Sequence, residues 1–155
     1  MAIAEMPLVS GNPLDLLELR HRRRDSVLTQ LAFAAHRHGV IRDVEALAAL
    51  LARRERLGTT ALGKGVALTH ARSILVSRSL WIVGRAPRGV DWGAADGEAV
   101  KLVVLRLEGL EQSATAHLAR LVAAAQSLRQ QRTRVRLATA DADGALTLLQ
   151  AGPVS

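Results

Sequence analysis

Three side chains in this sequence have types and spacings that suit group transfer or anion holding: His70, Arg54 and His117. His70 sits in GKGVALTHAR, residues 63–72, after two glycines, a lysine and a short apolar run. Histidine titrates near neutral pH, so a neutral imidazole there is a nucleophile. Gly63 and Gly65 permit unusual backbone angles and close approach of a ligand to main-chain N–H groups. A strand after them would present His70 at its end, where sites in α/β sheets lie. The alternative is a glycine turn that leads into a strand and does nothing more. The stretch lacks the helix-opening G-K-[ST] of a Walker loop and is not a dinucleotide fingerprint. His21, His36 and His38 lie among basic or surface-like neighbours.

On a helical wheel that starts at Leu47, Val44, Leu50 and Leu51 cluster in one direction, and Arg54 falls in the same stripe. Arg53 and Arg56 point away. An arginine on an apolar face calls for an anionic partner. That partner is either a ligand or a buried carboxylate, unless the long stem simply snorkels at the helix end. His117 follows Ser113 on a helix whose Leu118, Leu121, Val122 and Ala125 are expected to face inward, with His117 at the stripe's edge. It either joins a site or packs its ring there.

The elements that must position these residues are legible as periodicity. LDLLELR, residues 14–20, reads as a short strand or a helical turn. Asp25 is an expected N-cap for a helix with Val27, Leu28, Leu31, Ala34 and Ala35 on one face, ended by Gly39. Asp43 caps a second helix to about residue 57, with Leu57 on its apolar face and Gly58 as the stop. Strands are expected at 66–68, 79–83 and 100–107, the last a nearly continuous apolar run suited to a sheet interior. GRAPRGVDWGAADGE between them is turn-rich. A long helix is expected over 113–130 and a short one over 141–150; residues 134–138 fit either strand or helix. Helices on both sides of a strand-rich middle predict a layered α/β domain. Residues 1–13 read as a loose lead-in and 14–150 as one domain.

Composition excludes several classes. The 155 residues suit one domain with a real core. Apolar residues make up 49% and aromatics only 2%, so that core is aliphatic and base-stacking platforms are missing. With no cysteine, disulfides, thiol catalysis and Cys-based zinc sites are excluded. No apolar run reaches the length of a membrane span, and the N-terminus does not read as a signal peptide. The expectation is a soluble cytoplasmic protein without membrane insertion. The formal charge of +7 is spread along the chain apart from Arg20–Arg24 and a looser set over Arg129–Arg136. Nucleic acid is therefore not expected as a partner: it would need a continuous basic face.

Three ordered blocks carry a resemblance. LARRERLGTTALGKGVALTHAR is similar to an Arg-Glu, Ser/Thr-Thr, Gly-x-Gly, Pro-His-Ala/Gly-Arg signature. GVDWGAADGEAVKLVVLRL is similar to a strand pair joined by an Asp-Gly turn, and HLARLV to a His-Leu helix start. Together they resemble enzyme IIA domains of the fructose–mannitol type (type 2) of the bacterial phosphoenolpyruvate-dependent phosphotransferase system, including the nitrogen-related branch. The resemblance covers about residues 14–150.

It implies a three-layer α/β sandwich with a mixed sheet flanked by helices. It implies that His70 is phosphorylated on a ring nitrogen by HPr or its nitrogen-branch counterpart, with Arg54 and His117 beside it. Thr60, Gly63 and Gly65 would line the phosphoryl pocket. No cofactor or metal is implied, and one arginine with two histidines makes a poor magnesium or zinc site. Standing without fused IIB or IIC segments, the chain resembles the nitrogen-regulatory branch, where the phosphorylation state is a signal read by a target protein. The alternatives are a sugar-specific IIA that feeds a separate IIB, and a IIA-like binding module that is not phosphorylated. A homodimer is admitted as well. Thr69 stands where the family has proline, and Ala61 where it has glycine; the first removes a fixed φ before the histidine, the second a flexible residue.

Overall fold

The computed structural model describes residues 13–150; apart from Pro13, the expected N-terminal lead-in lies outside the described residues. Five strands form one sheet: β1 (Leu14–Glu18), β2 (Ala61–Gly63), β3 (Val66–Arg72), β4 (Leu80–Val90) and β5 (Val100–Glu108), in the order β1-β4-β5-β3-β2. The sheet is mixed: β1 runs parallel to β4 and β3 parallel to β5, while β4/β5 and β2/β3 are antiparallel. The helices α1 (Arg24–Arg37) and α2 (Val44–Arg56) cover one face, and α3 (Ala114–Leu128), α4 (Gln131–Leu137) and α5 (Ala142–Gln150) the other. The fold is thus a three-layer α/β sandwich.

Period-two alternation divides the strand side chains between two cores. Ala67, Ile82, Val103 and Leu105 pack against α1 and α2 with Leu28, Leu31, Leu47 and Leu51. Val66, Leu68, Trp81, Val83 and Val104 pack against the opposite helices with Leu121, Ala124, Leu128 and Leu149. Both cores are overwhelmingly aliphatic, and each fully buried Leu contributes about 1.5–3 kcal/mol.

Several local expectations are corrected. Asp25 is not an N-cap: α1 starts two residues earlier after Arg23, and Asp25 sits in its first turn, where a carboxylate meets the positive end of the helix dipole. Asp43 does cap α2, accepting from Ala46 N at 2.9 Å. Leu57 is 81% exposed, beyond the end of α2 rather than on its inner face. Residues 134–137 form the C-terminal part of α4 and Ala138 caps it, with Thr133 and Leu137 four apart on its buried side. The turn-rich GRAPRGV stretch lies within β4. A register shift between Arg85 and Val90 absorbs it, with Gly89 at φ +82°, so a bulge rather than a turn accommodates Pro87.

Candidate functional site

The site forms at the C-terminal ends of the parallel pair β3/β5, on the face covered by α3. The pairing sets His70 beside Arg106 and Arg72 beside Glu108. All four side chains leave the same face, because they occupy alternate positions on two in-register strands. Ser113 starts α3, its hydroxyl accepting from Ala116 N at 3.0 Å. One turn later the helix delivers His117.

His70 Nδ1 and His117 Nε2 lie 3.1 Å apart, although 47 residues separate them in sequence. The rings are tilted by 55°. The other nitrogen of His117, Nδ1, is 2.7 Å from Glu108 Oε1. Glu108 is fully buried. Arg106 Nε stands 3.4 Å from its Oε1 and Arg120 Nη1 3.2 Å from its Oε2. Neither guanidinium contact has hydrogen-bond alignment, so both act as charge contacts. Arg106 also lies over the Trp81 ring, 4.8 Å from its centre. Arg72 Nε donates to the Gln112 carbonyl at 2.6 Å, and Arg120 Nη2 to Gln112 Oε1 at 3.2 Å. These two arginines pin the loop that launches α3.

The electrostatics follow. Burial pushes the His70 pKa down from 6.5 to about 4, helped by the adjoining His117 ring and by the Arg54 guanidinium. Burial alone would raise Glu108, but the hydrogen bond from His117 and the charges of Arg106 and Arg120 outweigh it and hold the carboxyl below its ordinary value. His70 is therefore neutral at pH 7 and Glu108 ionised.

Arg54 reaches this neighbourhood from the end of α2, with its Nη1 donating to Gly58 O at 2.8 Å. It does not lie at the centre of the apolar stripe. Leu47, Leu51 and Glu55, spaced four apart, are the buried positions of α2. The buried carboxylate next to Arg54 in sequence is that of Glu55, which serves other groups. It accepts from Thr60 N at 3.1 Å, from the Thr60 hydroxyl and from Trp92 Nε1 at 2.9 Å. Thr60 is buried against Glu55, and its carbonyl accepts from Leu68 N, two residues before His70.

Gly63 and Gly65 are not brought to the histidine pair. They flank Lys64 at the tip of the β2–β3 hairpin, and all three have positive φ (88°, 59° and 80°). Asp96 accepts from Lys64 N at 2.9 Å, and Gly65 O accepts from Lys101 N at 2.7 Å. Gly65 lies five residues from His70 on an extended strand, a distance of about 16 Å. The glycines serve a tight turn. A cleft lined by Lys64, Gly65, Val66, Arg85, Lys101 and Arg134 opens at that end, away from His70.

His117 is not at the edge of an inner stripe but on the buried side of α3, with Leu121, Ala124 and Leu128. Leu118 and Val122 are 61% and 47% exposed. Ala61 takes ordinary strand backbone opposite Ala67, so glycine's freedom is not needed there. Thr69 is fully buried in β3, and its hydroxyl finds no hydrogen-bond partner among the described residues.

Sequence reasoning overlooked Glu108, Arg106, Arg120 and Glu55. Opposite charges two apart after the apolar run Leu102–Leu105 were the available signal for the first two. Among the described residues there is no cluster of three or more Asp, Glu or His that could hold a metal ion, and no helix long and apolar enough to cross a membrane.

Residues 15–151 match the family model for the phosphoenolpyruvate-dependent sugar phosphotransferase system, EIIA 2. The chain is 39% identical over 75 residues to the PTS system fructose-like EIIA component of Escherichia coli (strain K12). That match covers 48% of this chain and 51% of that protein, so the chain spans about half of that relative's length. It is 35% identical over 107 residues to a nitrogen regulatory protein of Bradyrhizobium diazoefficiens, covering 68% of this chain and 69% of the other. The crystal structure of nitrogen regulatory protein IIA-Ntr from Neisseria meningitidis superposes with a TM-score of 0.77 at 25% identity, over 89% of this chain and 93% of that one.

Proposed function

The chain belongs to the EIIA 2 family of the phosphoenolpyruvate-dependent sugar phosphotransferase system, and on that premise we propose that it is a phosphoryl carrier whose acceptor is His70. One observation carries this reading. His70 Nδ1 is engaged by His117 at 3.1 Å, which leaves Nε2 as the free nitrogen of a half-buried ring that is neutral at pH 7.

Transfer needs only an in-line approach and charge stabilisation. The Nε2 lone pair of His70 forms the new N–P bond. The N–P bond of the donor's phosphohistidine breaks, and its electron pair returns to the donor nitrogen. Arg54 supplies a permanent cation beside the three phosphoryl oxygens, and His117 fixes the ring that carries them. Thr60 and Glu55 support the start of β2, the strand next to β3. The donor is HPr or its nitrogen-branch counterpart.

The receiver is a regulatory target in the nitrogen branch, a role supported by the match over more than two thirds of a nitrogen regulatory protein. A phosphoryl group on His70 changes the charge at one surface by about two units, which is enough to switch an interface. We place the protein in the cytoplasm, with one domain over 14–150. The fructose-like relative keeps the sugar-system reading alive: there the receiver is a separate IIB.

The test is intact-protein mass after incubation with phosphoenolpyruvate, enzyme I and HPr, or their nitrogen-branch versions, with His70→Ala in parallel. An acid-labile phosphoryl adduct, absent from the variant, is expected. No adduct from either donor set on folded protein overturns the reading in favour of a IIA-like binding module.

A further inference from the structure

We propose that Glu108 is a positioning residue that fixes the protons of the histidine pair and so selects Nε2 of His70 as the reactive nitrogen. The inference rests on the reading of His70 as phosphoryl acceptor, but its geometry stands alone.

Glu108 ends β5 and is fully buried, with its carboxylate beneath α3. A carboxylate in that position is costly unless it is paired. Arg106 from its own strand and Arg120 from α3 face its two oxygens at 3.4 and 3.2 Å, which keeps it ionised. An ionised carboxylate can only accept hydrogen bonds. The 2.7 Å contact with His117 Nδ1 therefore places the hydrogen on Nδ1.

A neutral His117 then has a bare Nε2, and that atom faces His70 Nδ1 at 3.1 Å. Two bare nitrogens at this distance would repel, so His70 Nδ1 carries a hydrogen and donates it. The remaining nitrogen, His70 Nε2, holds the lone pair. The chain of bonds runs in one direction: His70 Nδ1–H to His117 Nε2, and His117 Nδ1–H to Glu108.

The reverse direction fails on charge. It would set a bare His117 Nδ1 against an anion, or else require a cationic His117. Among the described residues, the charged groups around the pair are Arg54 from α2, Arg72 from β3, Arg106 from β5 and Arg120 from α3, with Glu108 the anion among them. A cationic His117 would carry a hydrogen on Nε2 as well as on Nδ1, and that is the arrangement the ring spectrum tests. No proton has to move during transfer: the Nε2 lone pair becomes the N–P bond, while both hydrogens stay where Glu108 has put them.

The experiment is a long-range ¹H–¹⁵N correlation of the imidazole rings in the unphosphorylated protein near pH 7. It needs no phosphoryl donor, so its failure is distinct from failure of the carrier reading. Hydrogens on Nδ1 of both His117 and His70 are expected, with both Nε2 atoms bare. A hydrogen on His117 Nε2 in the wild-type protein overturns the proposal.

Glu108→Met removes the acceptor. His117 then moves its hydrogen to Nε2 and His70 follows, and phosphoryl acceptance falls on the order of 100-fold or more, as in other relays where the wrong tautomer blocks the nucleophile. Glu108→Gln keeps an acceptor oxygen towards His117 and Arg106 when its amide NH₂ is turned to the side of Arg120, whose side chain is partly exposed. This variant is expected to keep the wild-type ring protons and to lose less activity than the methionine variant. If Glu108→Met does not fold, the glutamine variant and the wild-type spectrum still decide. Wild-type ring protons in a folded Glu108→Met protein would overturn the proposal.

Discussion

His70 should titrate far below an ordinary histidine, and the causes can be removed one at a time. Burial of the ring is the largest, followed by the His117 ring and the Arg54 guanidinium, and together they bring the midpoint from 6.5 to about 4. At pH 7 this leaves about one ring in a thousand protonated, against about one in four for an unperturbed histidine. At pH 5 the contrast is wider: about nine rings in ten stay neutral, where an unperturbed histidine would keep only about three in a hundred. The nucleophilic form therefore differs by about thirtyfold at pH 5. His117→Ala removes one neighbour and opens the ring to water, so the midpoint should climb towards 6.5. The assay is the His70 ring resonance followed from pH 8 to pH 4 in both proteins. A wild-type midpoint at or above 6.5, or one that His117→Ala leaves in place, would refute the reasoning. The sign for stability follows from the same shift. The unfolded chain takes up this proton first, so the contribution is present in full above about 6.5 and is lost as pH falls towards about 4.

Two further substitutions separate transfer from folding. Arg54→Ala should slow phosphoryl acceptance about 100-fold while costing only about 1 kcal/mol of stability, since among the described residues its side chain hydrogen-bonds to Gly58 O alone. Initial rates of adduct formation beside thermal unfolding check this, and an unchanged rate would sink the role given to Arg54. Glu55→Ala should do the opposite. It strands the buried Thr60 N–H, the Thr60 hydroxyl and Trp92 Nε1, each at a cost of about 1–3 kcal/mol. Urea unfolding followed by tryptophan fluorescence measures the loss, and a loss below about 1 kcal/mol would mean that Glu55 is not the anchor described.

Most of the elements, and the family, were legible because their causes are local. Val27, Leu28, Leu31, Ala34 and Ala35 repeat at helical spacing and are all fully buried. Asp43 caps α2 through its own carboxylate, three residues from the N–H it serves. The nearly continuous apolar run over 100–107 suits an interior strand, and it forms one. The order of the blocks around Arg54, His70 and His117 was enough to identify the family, since that information lies in residue types and spacing.

The site itself was settled by contacts between distant segments. Leu118, Val122 and Ala125 make as good a helical stripe as His117, Leu121, Ala124 and Leu128; α3 is apolar nearly all round, so only docking against the sheet decided which side is buried. The parallel pairing of β3 with β5 put Glu108 next to Arg72 and Arg106 next to His70, and no local rule predicts that register. The extended course of β3 between the glycine turn and His70 keeps Gly63 and Gly65 apart from the site their motif suggested. Residue types along the chain thus determined which groups could take part, while strand register and helix docking decided that His70, His117 and Glu108 meet. That division follows from the forces involved: capping and periodicity act over a few residues, whereas a buried carboxylate can exist only where other segments bring charges or hydrogen-bond donors to it.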